Sequence, residues 1–330
     1  MNSVPLSNTS VENFFKKEIT VLSLIIFSAA LFVDGATDCA NSVTGAVSSG
    51  AMSLKRSVIL SAVLSFLGCL IFCLFCPSVA ESSAAALAFP EGREIVGVCV
   101  SLLSVVIWSG AAWYLGLPTS EGHALICAAA GAAAALGGKV YLWDLLFLIL
   151  SIFPAAALGV IFSLVLAKVF KKKVENSLRF PIILSSALSS FYHGAQDGQK
   201  FWALALSASL LSEKNSLPAV IVFSLSMGIG TLFGKRIIEK MGCEMAAADK
   251  RSALSSDLGS ALALSILTAL GIPASTTHLK MTSLIATTKL LGGRTDKATF
   301  ILLAAAWIAT FPISFALSFL ITKGIFIILL

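Results

Sequence analysis

The tetrapeptide Gly35-Ala36-Thr37-Asp38 closes one apolar run, and 159 residues later Gly194-Ala195-Gln196-Asp197 closes another. A second pair follows in the same order. Gly116-Leu117-Pro118-Thr119-Ser120 reappears 155 residues on as Gly271-Ile272-Pro273-Ala274-Ser275, which sets His123 on His278. Two motifs repeated in order at near-equal spacing mark an internal duplication. The segments that carry it are long: runs of some 18 or more apolar residues recur along the 330 residues, each enough to cross a bilayer. In hydrocarbon every backbone N–H and C=O needs an internal partner, so a span is a helix or part of a closed barrel. The sequence lacks the short alternating segments of a barrel. The chain is therefore expected to be an all-α polytopic membrane protein. Charged residues make up 12% of it, against about 25% in a soluble domain.

Apolar segments run over 19–36 continuing to about 53, 57–76, 94–115, a short small-residue helix at 119–136, and 142–169. After the basic stretch 171–179 the order repeats as 181–197 continuing to 211, 217–238, 252–270, a short 275–291, and 297–329. This divides the chain into an extracytoplasmic segment 1–18, a first repeat 19–170, a cytoplasmic linker 171–179 and a second repeat 180–330. Five membrane segments per half is an odd number, so the halves must insert in opposite senses. That is the inverted-repeat plan of secondary transporters, with broken and short half-helices at the midplane. The short helices either cross or return as re-entrant hairpins.

Charge placement tests the scheme. With the N-terminus outside, fifteen of the 23 basic residues fall on the cytoplasmic side and six outside, leaving Lys200 and Lys280 near the motifs. The net charge of +6 thus reads as topology signals in short loops, and no nucleic acid is implied. Lys16 and Lys17 ahead of an apolar stretch imitate a signal peptide. The same pattern recurs from Arg179 to Asp197, so the segment belongs to the fold. Seven cysteines lie mostly in apolar runs. Cys73-Leu74-Phe75-Cys76 has redox spacing but no second pair or His partner, and reads as packing.

A charge at mid-membrane costs from about 2.5 kcal/mol upward, so Asp38 and Asp197 are expected to line a cavity. Small and polar residues follow each: Asn41, Ser42, Thr44 and Gly45 in one copy, Gly198, Gln199 and Lys200 in the other. They allow a helix break whose free carbonyls could hold a cation beside a carboxylate. The bland reading, an interhelical polar contact, fits a lone aspartate better than a duplicated pair. In the second motif, Gly-x-Pro ends one element and Ser or Thr caps the next. A short helix that starts inside the membrane aims its free N–H groups and positive end at the centre, which makes an anion site. Ser275, Thr276 and Thr277 add hydroxyl donors. Glu121 stands where the second copy has Thr276, and a fixed carboxylate there would repel an anion unless protonated, paired or turned away. His193 aligns with Asp34, and Lys200 with Asn41. Lys200 would attract an anion or replace a bound metal ion, whereas Lys280 is expected to snorkel or pair. Each histidine alone is more simply a satisfied buried side chain. Intramembrane hydrolysis by Ser120/His123 or Ser275/His278 is the rival class, but G-x-S-x-G and H-E-x-x-H are missing.

At these residues the sequence resembles the inorganic phosphate transporter (Pit) family, which carries a G-A-N-D-x-A-N type signature and a downstream G-x-P-x-S-x-T-H type element in each half. Gly35-Ala36-Thr37-Asp38-Cys39-Ala40-Asn41-Ser42 matches the first, with Thr37 for asparagine. His193-Gly194-Ala195-Gln196-Asp197-Gly198-Gln199-Lys200 matches a bacterial form of the second, with Gln196 for asparagine. The stretch 271–278 matches well, and 116–123 departs at Glu121 and Gly122. The resemblance covers essentially the whole chain. It implies a symporter of the cell membrane moving inorganic phosphate with sodium or protons and no other cofactor. It places the substrate on Asn41, Thr119, Ser120, Gln199, Lys200, Ser275, Thr276 and Thr277 and the coupling cation on Asp38 and Asp197. A sulfate or related oxyanion permease of the same fold is the alternative substrate reading, a channel is a third possibility, and a homo-oligomer stays open.

Overall fold

Almost every described residue outside the turns is helical, as apolar runs without water as a partner require. The structure is a computed structural model and describes residues 8–84, 89–117, 119–172, 175–207, 213–240 and 246–329. The first half comprises α1 (Asn8–Thr37), a 3-10 segment Cys39–Val43, α2 (Thr44–Ser48), α3 (Leu54–Phe75), α4 (Ser78–Ala84), α5 (Glu94–Leu115), α6 (Glu121–Ala135), α7 (Leu142–Leu150) and α8 (Ile152–Phe170). The second comprises α9 (Arg179–Ser207), α10 (Glu213–Thr231), α11 (Lys235–Glu239), α12 (Lys250–Ala269), α13 (Thr276–Leu290) and α14 (Lys297–Leu329). A two-residue antiparallel ladder joins Ala246–Ala247 to Arg294–Thr295. Six described helical segments are long and apolar enough to span a membrane: Val21–Ser48, Leu54–Phe75, Glu94–Leu115, Leu145–Phe170, Lys250–Ala269 and Phe300–Ile325. The remaining members of the ten-segment plan fall short for physical reasons. Helices α6 and α13 have 15 residues each, about 22 Å against a hydrocarbon core of about 30 Å, α9 carries the polar motif, and the apolar part of α10, Ser216–Thr231, is also shorter than a span.

Packing repeats with the sequence. Helix α1 lies against α10 as α9 lies against α3. Helix α6 meets α14 as α13 meets α8, and α5 touches α1 and α6 as α12 touches α9 and α13. Each half therefore completes the other. The crossings depend on glycine. A Cβ on Gly194 would strike the Ser65 backbone, and one on its mate Gly35 would strike Met227. Gly68 faces the Phe191 carbonyl as Gly230 faces that of Phe32, its equivalent. Small residues let backbones approach where no hydrophobic effect drives helices together. Gly194→Val is expected to cost about 3 kcal/mol, read as a lower unfolding midpoint of the purified protein, while Gly110→Ala, with open space around it, stays within about 0.5 kcal/mol of wild type.

Hydrogen bonds define the two ends of the bundle. At one end Arg236 and Lys240 donate to the carbonyls of Tyr114 and Leu115, Arg179 to Ala51, and Arg251 to Lys171. At the other, Arg93 donates to Leu136, while Ser78 and Ser82 of α4 donate to Thr268 and Gly271. Helices α5 and α12 stop at opposite ends, each at a left-handed glycine: Gly116 at φ 69° and Gly271 at φ 66°. From there the chain turns inward, and α6 and α13 begin deep in the protein and leave toward opposite ends. This is the inverted relation.

One expectation needs correction. A helix break was expected beside both aspartates, but only the first is present. Helix α1 ends at Thr37 and a 3-10 segment follows Asp38, whereas α9 runs unbroken from Arg179 to Ser207 through Asp197. After Asp38 come Asn41, Ser42 and Thr44, whose short polar side chains compete with helix hydrogen bonds. After Asp197 the side chains tie the helix to itself. Lys200 bonds Asp197 one turn back, and Gln199 Nε2 donates to Ala195 O at 2.9 Å.

Candidate anion and cation site

The two short helices start against each other. Ser120 precedes α6 and Ser275 precedes α13, both in extended backbone and both buried, and Ser275 Oγ donates to Ser120 Oγ at 3.0 Å. Thr277 Oγ1 donates to Thr119 O at 3.1 Å across the same junction. Two sets of helix-start N–H groups and two positive helix ends thus converge, the arrangement that attracts an anion. Ser275 also caps α13 by accepting from His278 N.

The aspartates sit beside this junction. Thr276 Oγ1 lies 3.0 Å from Asp197 Oδ2 and 3.3 Å from Asp38 Oδ2, so one hydroxyl bridges the two symmetry mates. His193 Nε2 lies 2.9 Å from Asp197 Oδ2 and 3.8 Å from Asp38 Oδ1. Ligand atoms of Asp38, His193 and Asp197 all fall within 4.8 Å of one another, a spacing that a cation could bridge. Asn41 Nδ2 donates to Asp38 Oδ1 at 3.3 Å, and its buried Oδ1 has no partner among the described residues. Lys200 Nζ reaches Asp197 Oδ1 at 2.6 Å and Ala274 O at 2.5 Å, which ties the ammonium to the loop before α13.

The scaffold is symmetric and the charges are not. Asp34 stands where the second repeat has His193, Asn41 where it has Lys200, and Glu121 where it has Thr276. The first-repeat side therefore holds three buried carboxyl groups, Asp34, Asp38 and Glu121, mutually within 4.8 Å. The second-repeat side holds Asp197 with Lys200 and His193. Glu121 is turned toward hydroxyls: its Oε1 accepts from Thr37 at 2.6 Å and Thr119 at 2.9 Å.

Nine of the ten residues expected from the sequence come together here. Gln199 stands apart. Its Oε1 accepts from Val79 N at 2.9 Å and Ala80 N at 3.4 Å, so it caps α4, a helix that the sequence reading left out. The neighbouring Gln196 accepts from Ala274 N and donates to Thr268 and Ile272, fixing the loop that delivers Ser275. Of the two expectations for Lys280, pairing holds: it is buried and bonded to Asp257 of α12, whose Oδ2 accepts from Ser186 at 2.5 Å. Asp257 was readable as a lone acid within an apolar run, by the argument that singled out Asp38. The cavity lined by Gly122, His123, Ser151, Lys200 and Ala274 measures about 10 Å³, room for about one water. The junction is closed: Thr119, Ser120, Ser275, Thr276 and Thr277 are all buried, and the two serine hydroxyls bond to each other.

A helical membrane protein whose two inverted repeats bring half-helix starts over buried carboxylates is, by class, an integral membrane transporter. A model of the "Phosphate transporter family" matches residues 34–177 and again 166–318, once per repeat. The chain belongs to the phosphate transporter family, which is not a class of enzymes. The "Probable low-affinity inorganic phosphate transporter" of Bacillus subtilis is 30% identical over 316 residues, covering 90% of this chain and 94% of that one. The protein of the same description from Rhizobium meliloti is 29% identical, covering 77% and 81%. "Sodium-dependent phosphate transporter 1-B" of Danio rerio is 31% identical over 44% of this chain and 23% of its own. A solved structure described as "The sodium-dependent phosphate transporter" shares the fold at TM-score 0.83 and 18% identity, covering 95% of this chain and 100% of that one.

Proposed function

We propose that this protein is a symporter of the plasma membrane that takes up inorganic phosphate together with sodium or protons by alternating access. One observation carries the reading: two half-helix starts meet at Ser120 and Ser275 directly beside two symmetry-related aspartates. In this reading Thr119, Ser120, Ser275, Thr276 and Thr277 give hydroxyl or N–H donors to the anion, Asn41 and Lys200 flank it, and Asp38 and Asp197 hold the coupling cation. Gln199 acts through α4, which rests on the loop of the second motif.

Charge balance supports coupling. The centre already holds the carboxyl groups of Asp34, Asp38, Glu121 and Asp197 against the one ammonium of Lys200. A phosphate charge about 4 Å from one carboxylate meets about 4 kcal/mol of repulsion at an effective dielectric near 20. In this reading positive charge enters with the anion, as sodium or as protons, and offsets that repulsion. The closed junction suits the middle of a cycle in which one bundle rocks against the other.

The test is uptake of radiolabelled phosphate by proteoliposomes under a sodium gradient, a proton gradient or neither, with sulfate as competitor. Gradient-driven uptake that sulfate leaves unchanged is expected. Uptake of sulfate instead would replace the substrate, and passive flux without coupling would replace the mechanism.

A further inference from the structure

His123 and His278 lie just behind the two serines that open the short helices. Each lies three residues after the serine that opens its short helix. Ser120 Oγ is 2.6 Å from His123 Nδ1, and Ser275 Oγ is 2.5 Å from His278 Nδ1. With the serine–serine bond of 3.0 Å, four buried side chains form one row across the pseudo-twofold: His123, Ser120, Ser275, His278. Outside the row, the rings rest on α14: His123 on the edge of Phe311 at 5.8 Å, His278 over Trp307 at 3.9 Å.

Counting protons fixes the direction of the row. A serine hydroxyl has one proton, and a neutral imidazole has one N–H on one of two nitrogens. Ser275 spends its proton on Ser120, so the bond between Ser275 and His278 must use a proton on His278 Nδ1. Ser120 has no other acceptor among the described residues, so its proton goes to His123 Nδ1, which is bare. A row that is symmetric in composition is thus polar in its hydrogen bonds: one ring donates and the other accepts.

An oxyanion at the two helix starts breaks this arrangement. This step rests on the phosphate reading above. Both serines then point their protons at the anion, and each Oγ can only accept from its histidine. We infer that oxyanion binding converts His123 Nδ1 from a hydrogen-bond acceptor into a donor, so that His123 is the positioning residue that aims Ser120 at the substrate. The new Nδ1 proton comes from the ring's own Nε2 by tautomer exchange, or from solvent, which leaves an imidazolium travelling with the anion. No covalent bond other than N–H changes. The charged and titratable groups about His123 are Glu121 on its own helix, Lys200 of α9, which lines the same small cavity, and His278 of α13. Helix α14 contributes the Phe311 ring.

The chain has three histidines, so ¹⁵N-histidine labelling of the full protein in nanodiscs resolves them, with single His→Asn variants for assignment. Without phosphate, His278 is expected to show a protonated Nδ1 and His123 a bare one. With saturating inorganic phosphate, both are expected to show protonated Nδ1, and the Nε2 signal of His123 separates tautomer exchange from proton uptake. Binding of radiolabelled phosphate gives the second readout. His123→Asn, which keeps an amide donor at the Nδ1 position, is expected to bind within about threefold of wild type, and His123→Phe about tenfold more weakly or worse. Identical Nδ1 states in the two rings without phosphate, or a His123 Nδ1 still bare when phosphate is bound, would overturn the inference. Wild-type protein that binds no phosphate overturns the function proposed above, and the ligand-free spectrum then judges the polarity of the row separately.

Discussion

Asp197→Asn is expected to abolish coupled phosphate uptake and to destabilise the protein strongly, while Asp38→Asn abolishes uptake with little loss of stability. The two residues are symmetry mates, yet their neighbours differ in sign. Asp197 bonds the buried ammonium of Lys200 at 2.6 Å and lies 2.9 Å from His193. Its removal strands a buried lysine, and breaking one partner of such a pair costs about 3–5 kcal/mol. Asp38 instead shares its surroundings with Asp34 and Glu121. Removing a carboxylate there relieves crowding of like charge, and Asn41, Thr276 and the more distant His193 face a weaker acceptor. In the proposed mechanism uptake falls in both because each amide loses the charge that a coupling cation needs, by about a hundredfold or more for a lost charge-assisted contact in a closed site. Uptake into proteoliposomes and thermal unfolding of the purified variants read the two effects separately. Equal destabilisation by the two substitutions would contradict the polarised site.

That difference marks the boundary of what the residues reveal on their own. The duplication, the all-helical fold and the pairing of Asp38 with Asp197 are legible because they depend on local pattern: apolar run length, Gly-x-Pro followed by a capping Ser, and two offsets of nearly equal size. The convergence of Ser120 on Ser275 follows from the inverted repeat. The continuous helix through Asp197 is not legible, because it depends on the reach of Lys200 and Gln199 along their own helix rather than on the glycines beside them. Nor is the placement of Gln199. Its motif marks it as a ligand, but its acceptor faces the N–H groups of Val79 and Ala80, about 120 residues away in the chain. Helix α4 has only seven residues, with Glu81 among them, and no apolar periodicity announces it. The direction of the His–Ser–Ser–His row needs distances, since composition gives both halves the same Ser and His.

The buried pair of Lys280 and Asp257 supplies the other large effect. Both are essentially inaccessible, and Asp257 is held further by Ser186 of α9. The pseudo-twofold relates Asp257 to Leu102 and Lys280 to Leu125, and both leucines are buried in one hydrophobic cluster. The same helix pair is therefore closed by charges in one repeat and by hydrocarbon in the other. A buried pair must recover the desolvation of two ions, and exchange for well-packed apolar residues is often neutral or stabilising by about 1–4 kcal/mol. Asp257→Leu alone is expected to cost about 3–5 kcal/mol, because it leaves the Lys280 ammonium without its carboxylate. Adding Lys280→Leu is expected to recover that loss, giving a double variant about as stable as wild type, since the first repeat shows that leucines fill this crossing. Thermal unfolding of the wild type, both single variants and the double variant forms a cycle that isolates the interaction. A double variant as unstable as Asp257→Leu would mean that the second repeat cannot close over apolar side chains. Gly45 shows where such a limit would arise, since even a Cβ there would press on the Asp257 carboxylate, and a leucine at 257 would meet the same wall.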